Sequence, residues 1–205
     1  MSHSLIKQLH DIGSIQFGRF TLKSGIESPF YIDLRLSISY PSLLREIAEA
    51  MWDLVKDVEF DLLCGVPYTA LPFATVISLE HNIPMIMRRK EVKSYGTKKS
   101  IEGKFLMGQS CLIIEDLVST GKSVMETIQP LEDHGIRVNT VLSLIDREHG
   151  GRENLTKGGY SFLSLLKISD IFCILYEEGR VSLNDYERSS SFLKTFHSKE
   201  ASNVS

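Results

Sequence analysis

The chain has 205 residues, a length that suits one compact domain, and no linker-like stretch divides it. Apolar residues make up 42% and charged residues 24%, which excludes the disordered, collagen-like and coiled-coil classes. The net charge is −3, so no global basic field marks a binder of nucleic acid or of anionic membranes.

Along the chain, the N-terminus MSHSLIKQLHD lacks the apolar stretch of a signal peptide. Nowhere does an apolar run approach the roughly 20 residues of a spanning helix. Leu44, Ile47, Met51, Leu54 and Val58 recur at spacings of three and four, which predicts an amphipathic helix over residues 43–58. FDLLCGVPY follows as a short buried strand ended by Gly65 and Pro67. ALPFATVISLEH reads as a helix and PMIMRR as a strand. GQSCLIIED is a third buried strand, and residues 120–134 a helix stopped by Gly135, with Pro130 either kinking or shortening it. RVNTVLSLID is a fourth strand, GYSFLSLL a candidate fifth, and residues 167–197 supply packing helices. The polar residues 198–205 read as a frayed tail. Alternating strands and helices predict an α/β fold whose mostly parallel sheet is flanked by helices, with residues 1–197 as a single domain. In such sheets ligands sit at the carboxyl ends of the strands. Cys64, Cys111 and Cys173 stand in apolar runs with no CxxC spacing, and read as buried reduced thiols in a cytoplasmic protein.

Two segments after strands carry chemistry. Glu115 and Asp116 end the third strand, and Leu117, Val118, Ser119, Thr120, Gly121, Lys122 and Ser123 lead into a helix. The turn's backbone N–H groups and the helix N-terminus form an anion cradle, which Gly121 lets a phosphate approach. The hydroxyls of Ser119, Thr120 and Ser123 add donors. The carboxylates repel phosphate and suit sugar hydroxyls or a hydrated cation. Phosphate and diol together describe a ribose 5-phosphate. The simpler reading is a helix capped by Ser119 or Thr120 beside two solvated acids. A P-loop is excluded, because its first glycine would fall at Asp116.

The second segment spans residues 88–104. Arg88, Arg89, Lys90, Lys93, Lys98, Lys99 and Lys104 face only Glu91 and Glu102, a local net charge of +5. A flexible cationic loop suits closure over a polyphosphate. Alone it would read as solvated surface. RNA binding is disfavoured because Tyr95 is the segment's one aromatic residue.

Residues 111–123 resemble the phosphoribosyl diphosphate (PRPP) signature of type I phosphoribosyltransferases. RKEVKSYG (89–96) resembles the catalytic loop of the orotate phosphoribosyltransferase family, and the similarity extends over residues 83–103 and 64–78, LKSGIESPFYIDLR (22–35) and LIDREHGG (144–151). The resemblance covers roughly residues 5–175. It implies the type I phosphoribosyltransferase fold with an N-terminal hood of about residues 1–40. It also implies transfer of phosphoribosyl from PRPP to orotate in pyrimidine (UMP) biosynthesis, with Mg²⁺ as cofactor and a homodimer that shares the basic loop between subunits.

The same resemblance assigns Lys93 as the main catalytic cation, supported by Arg89, Lys90 and Tyr95. It puts Lys23 near base and diphosphate, Phe30 and Tyr31 at the orotate ring, Tyr68 and Thr69 at the diphosphate, and residues 115–123 on PRPP, with Ser119 also near orotate. Arg147 would bind the orotate carboxylate. Mg²⁺ would come with PRPP, near Glu115 and Asp116. Read without the family, Lys23 is a surface charge, the Phe30-Tyr31 pair is sheet core, and Arg147 serves equally as a salt-bridge partner of Asp146 or Glu148. Thr69 and Tyr95 stand where many bacterial single-function members carry lysine and histidine, a pattern closer to the transferase part of uridine monophosphate synthases. The Asp-x-Lys-x-x-Asp motif of the decarboxylase half is absent from this sequence, so transferase activity alone is expected, with a separate orotidine monophosphate decarboxylase as a conceivable partner. A purine or uracil transferase is disfavoured by Lys23, Phe30-Tyr31 and Arg147. A PRPP-sensing regulator is disfavoured because about 20 residues before the first motif are too few for a helix-turn-helix domain.

Overall fold

The computed structural model describes residues 2–22, 25–89 and 100–202. Lys23, Lys90, Lys93 and Tyr95 lie outside the described residues.

The chain opens with α1 (Ser2–Asp11) and an antiparallel pair, β1 (Ile15–Thr21) and β2 (Glu27–Ile32), in register Phe17 to Phe30. A 3₁₀ turn over Leu34–Ser39 leads to α2 (Pro41–Trp52). That helix is shorter than the expected 43–58. Beyond Trp52 the chain tightens into i to i+3 bonds, Val55 N–H to Trp52 O (2.8 Å) and Val58 N–H to Val55 O (2.9 Å). A tighter turn preserves a spacing of three, so periodicity does not reveal the change.

The main sheet contains β3 (Leu62–Gly65), β4 (Met85–Arg88), β5 (Ile101–Glu102), β6 (Ser110–Val118), β7 (Arg137–Asp146) and β8 (Ser161–Lys167), in spatial order β5-β4-β3-β6-β7-β8. All neighbours pair in parallel except the edge pair β4–β5. The helices are α3 (Ala70–His81), α4 (Lys122–Asp133), α5 (Gly151–Lys157), α6 (Ile168–Glu177) and α7 (Leu183–Ser202). Strand runs that are apolar throughout, such as LLCG and CLII, are buried on both faces, as a helix-covered parallel sheet requires. The α4 helix continues through Pro130 to Asp133. The α7 helix extends to Ser202; Lys199, Glu200 and Ala201 are all good helix formers.

The N-terminal pair is tied to the last two helices by aromatic packing. The Phe30 ring meets Phe172 edge-on at 4.8 Å and Phe192 at 5.9 Å, and Phe17 meets Phe172 at 5.5 Å. Cys64 and Cys111 are buried free thiols, but Cys173 is only half-buried, with its Sγ 3.3 Å from Glu177 Oε1. It sits on the rim of α6 rather than on its core stripe of Ile168, Ile171, Phe172 and Leu175. Among the described residues no helix is long and apolar enough to cross a membrane.

The strand order fixes where a ligand can sit. After β3 the chain steps outward to β4, and after β5 it crosses back to β6 on the other side of β3. The crevice between the carboxyl ends of β3 and β6 is therefore the topological switch point.

Candidate active site

Two chain exits line that crevice. At the end of β3, Gly65 pairs with Ile114 of β6, and the Val66 N–H donates to Ile114 O at 2.9 Å. This places the following turn, Pro67-Tyr68-Thr69, next to the acid pair of β6. The Pro67–Tyr68 peptide is cis, Tyr68 is 62% exposed, and Thr69 directly precedes α3.

At the second exit, β6 does not stop at the acids. It continues to Val118, pairing Leu117 with Ile145 and Val118 with Asp146, because β7 extends alongside it. Glu115 and Asp116 thus lie in the strand. Glu115 is 4% exposed and turns inward. Its carboxylate accepts from the Ser123 hydroxyl (2.9 Å) and from the Asp116 N–H (3.0 Å). Burial first, and then the neighbouring Asp116 carboxylate, push its pKa well above the ordinary carboxylate range. Here Glu115 is a strut between β6 and the first turn of α4 rather than a solvent-facing acceptor. The half-buried Asp116 is the acid turned more toward solvent. Gly121 caps α4 in the left-handed region (φ +80°), and Thr120, Lys122 and Ser123 are exposed. The first N–H groups of this 12-residue helix lack intrahelical acceptors, an arrangement that suits an anion and would make this end of α4 a cradle for one.

A second layer supports the cradle. Ser119 Oγ lies 3.5 Å from His149 Nδ1, and Asn154 Nδ2 donates to Thr120 O at 3.1 Å. A Cβ at Gly151 would stand 2.5 Å from Ser119 O, so only glycine lets α5 come this close. His149, Gly151 and Asn154 received no role from the sequence. Two of them lie in the LIDREHGG motif, which was the available signal.

Arg147 follows β7, its N–H bonded to Val118 O at 2.8 Å. Neither neighbouring acid pairs with it. Asp146 is engaged by Arg152, and a Glu148 carboxylate oxygen accepts from the Ser169 N–H at 2.8 Å. The Arg147 guanidinium carbon instead sits 5.4 Å from the Phe30 ring centroid, and its buried Nε has no hydrogen-bond partner among the described residues. Burial lowers its pKa from the ordinary value. A half-buried guanidinium with no acid partner among the described residues suits an anion.

The aromatic pair divides, as alternation along a strand requires. Phe30 has no exposed surface and lies as the ring beneath Arg147. Tyr31 is 36% exposed, stacked on Phe20 at 5.6 Å. Arg89 pairs with Glu102 at 2.9 Å across β4 and β5.

A profile described as the phosphoribosyl transferase domain matches residues 39–176. The orotate phosphoribosyltransferase of Chlamydia caviae is 39% identical over 196 residues, 95% of either chain. The chain belongs to the orotate phosphoribosyltransferase family. Bovine uridine 5′-monophosphate synthase is 47% identical over 193 residues, which cover 93% of this chain and 40% of that protein. The solved structure of Leishmania donovani UMP synthase superposes with a TM-score of 0.87 at 36% identity, covering 95% of this chain and 42% of that one. The chain therefore spans about two-fifths of the length of these synthases.

The donor set bears on Mg²⁺. Among the described residues no cluster of three or more His, Cys, Asp or Glu side chains could cage a metal. Asp116 remains as one available carboxylate in the crevice. One carboxylate beside a phosphate cradle fits an ion carried mainly by substrate oxygens and water.

Proposed function

We propose that this chain transfers the phosphoribosyl group of PRPP to a ring nitrogen of orotate, giving orotidine 5′-monophosphate and diphosphate in UMP biosynthesis. The observation that carries this reading is Arg147. Its guanidinium, at the carboxyl end of β7 beside the anion cradle, lacks an acid partner among the described residues and suits the carboxylate that distinguishes orotate from uracil.

The N–H groups at the start of α4 hold the 5-phosphate, aided by Thr120, Lys122 and the Ser119 hydroxyl. The turn at Tyr68 and Thr69 meets the diphosphate through backbone amides, and Asp116 accepts from the ribose hydroxyls. The bond from C1 to diphosphate oxygen breaks as the bond from C1 to nitrogen forms, and diphosphate leaves with the electron pair. Lys93, with Arg89, Lys90, Tyr95 and Lys23, neutralises that charge. Catalysis rests on alignment of the two reactants and on electrostatic stabilisation. Mg²⁺, when bound near Asp116, supplies charge neutralisation for the diphosphate. The subunits form a homodimer in which the basic loop over residues 88–104 serves the neighbouring site. The protein works in the cytoplasm, and its product is the substrate of an orotidine monophosphate decarboxylase.

The test is loss of orotate absorbance with PRPP and Mg²⁺. Turnover that needs all three components and collapses in Lys93→Ala supports the reading. Turnover with a different base alone would replace orotate as the substrate.

A further inference from the structure

Arg147 is flanked in sequence by two acids, yet neither takes it, and the reason lies in a second arginine. Asp146 is 2% exposed, so its charge must be met inside the protein. One carboxylate oxygen accepts from the Glu148 N–H at 2.8 Å. The other accepts from Arg152 Nε at 3.2 Å. Arg152 is itself held on three further sides. It donates to Phe162 O (3.0 Å) and Ser164 Oγ (3.1 Å) of β8, and its guanidinium lies over the Phe162 ring at 4.7 Å. The Asp146 bond to Glu148 also holds a left-handed turn (φ +56°) at a non-glycine residue, just where the chain leaves β7 with Arg147.

We propose that Arg152 and Asp146 act as a positioning pair that reserves Arg147 for the anionic base. Arg152 saturates the buried carboxylate, and the carboxylate fixes the turn. Arg147 is left to neither of its flanking acids and laid over Phe30. Without Arg152, Asp146 becomes a buried anion missing one partner, and the adjoining Arg147 is the cation it draws out of the site. This inference rests on the reading that Arg147 binds the orotate carboxylate, and the variants separate the two.

The experiment measures KM for orotate and for PRPP in Arg152→Met, Asp146→Asn/Arg152→Met and Arg147→Ala, with thermal melting of each. Arg152→Met is expected to raise KM for orotate at least about tenfold and leave KM for PRPP within about twofold. The double variant removes the competing charge but keeps an oxygen for the Glu148 N–H, so orotate KM should return most of the way to wild type. A merely structural loss would not be rescued by a second substitution. Unrescued kinetics in the double variant, or equal rises in both KM values, would overturn the positioning role. If Arg147→Ala itself leaves orotate KM unchanged, the underlying reading of Arg147 fails instead.

Discussion

Gly151→Ala pits two physical effects of opposite sign against each other. Gly151 is the first residue of α5 and has no unusual φ, so alanine there should stabilise by about 0.4–1 kcal/mol through the unfolded state. The new Cβ, however, would stand 2.5 Å from both Ser119 O and Val118 Cγ1, about 0.9 Å inside the 3.4 Å where ordinary contact begins. One obstacle is backbone, so no rotamer change relieves it. Ser119 must retreat or α5 must lift, at a cost of about 1–3 kcal/mol. Set against the alanine gain, the net loss is at most about 2.6 kcal/mol, which in a chain this size lowers Tm by up to about 10 °C. The kinetic effect should be larger, since a displacement near 1 Å in a positioning loop costs about a hundredfold. The assay is calorimetric melting with and without PRPP, together with initial rates at varied PRPP. The expected result is a lower Tm, weakened protection by PRPP, and kcat/KM for PRPP down by about two orders of magnitude. A raised Tm with rates within twofold of wild type would refute the close approach of α5 to the cradle.

Three further outcomes follow from the same geometry. Arg147→Ala should lose about 10- to 150-fold in kcat/KM for orotate, as expected for one charge-assisted contact, when initial rates are measured at saturating PRPP. Glu115→Gln keeps an oxygen for the Asp116 N–H and a donor for Ser123; because the folded protein binds the Glu115 proton more tightly than the unfolded chain, stability falls as pH rises above the ordinary carboxylate range, so the variant should gain in Tm at pH 7.5 and gain less at pH 5. Burial pushes the Cys64 thiol up to about 11 and Cys111 well above its ordinary value, and the hydrogen bond to Glu177 raises the Cys173 thiol too, so exposure decides: maleimide should label half-buried Cys173 ahead of the two buried thiols in native protein and all three after unfolding, as mass spectrometry would read.

The parallel strands were legible because their apolar runs have no polar face to confuse them: RVNTVLSLID matches β7 residue for residue. The N-terminal pair was not. After buried Ile15 its strand β1 shows no regular alternation of burial, and the pair's anchor, Phe30, packs on Phe172 and Phe192 some 140 to 160 residues further on. The end of β6 was hidden for an energetic reason. Two carboxylates look like a strand terminus because burying an acid is costly, and nothing in sequence says that Ser123 returns to satisfy Glu115. Arg147 shows the converse. Its neighbours Asp146 and Glu148 look like partners, and only the tertiary bonds to Arg152 and to the Ser169 N–H reveal that both are taken. His149, Gly151 and Asn154 support the cradle from beneath, a role that leaves no charge pattern to read.

The most direct test of the central claim is a base competition in which purified protein, PRPP and Mg²⁺ meet orotate and uracil together, with products identified by mass spectrometry. Orotidine 5′-monophosphate and an equal yield of diphosphate, with uridine 5′-monophosphate nearly absent, is the predicted result, and Arg147→Ala should erode that preference. Equal use of both bases, or a preference for uracil, would contradict the assignment of Arg147 to the orotate carboxylate and with it the proposed activity.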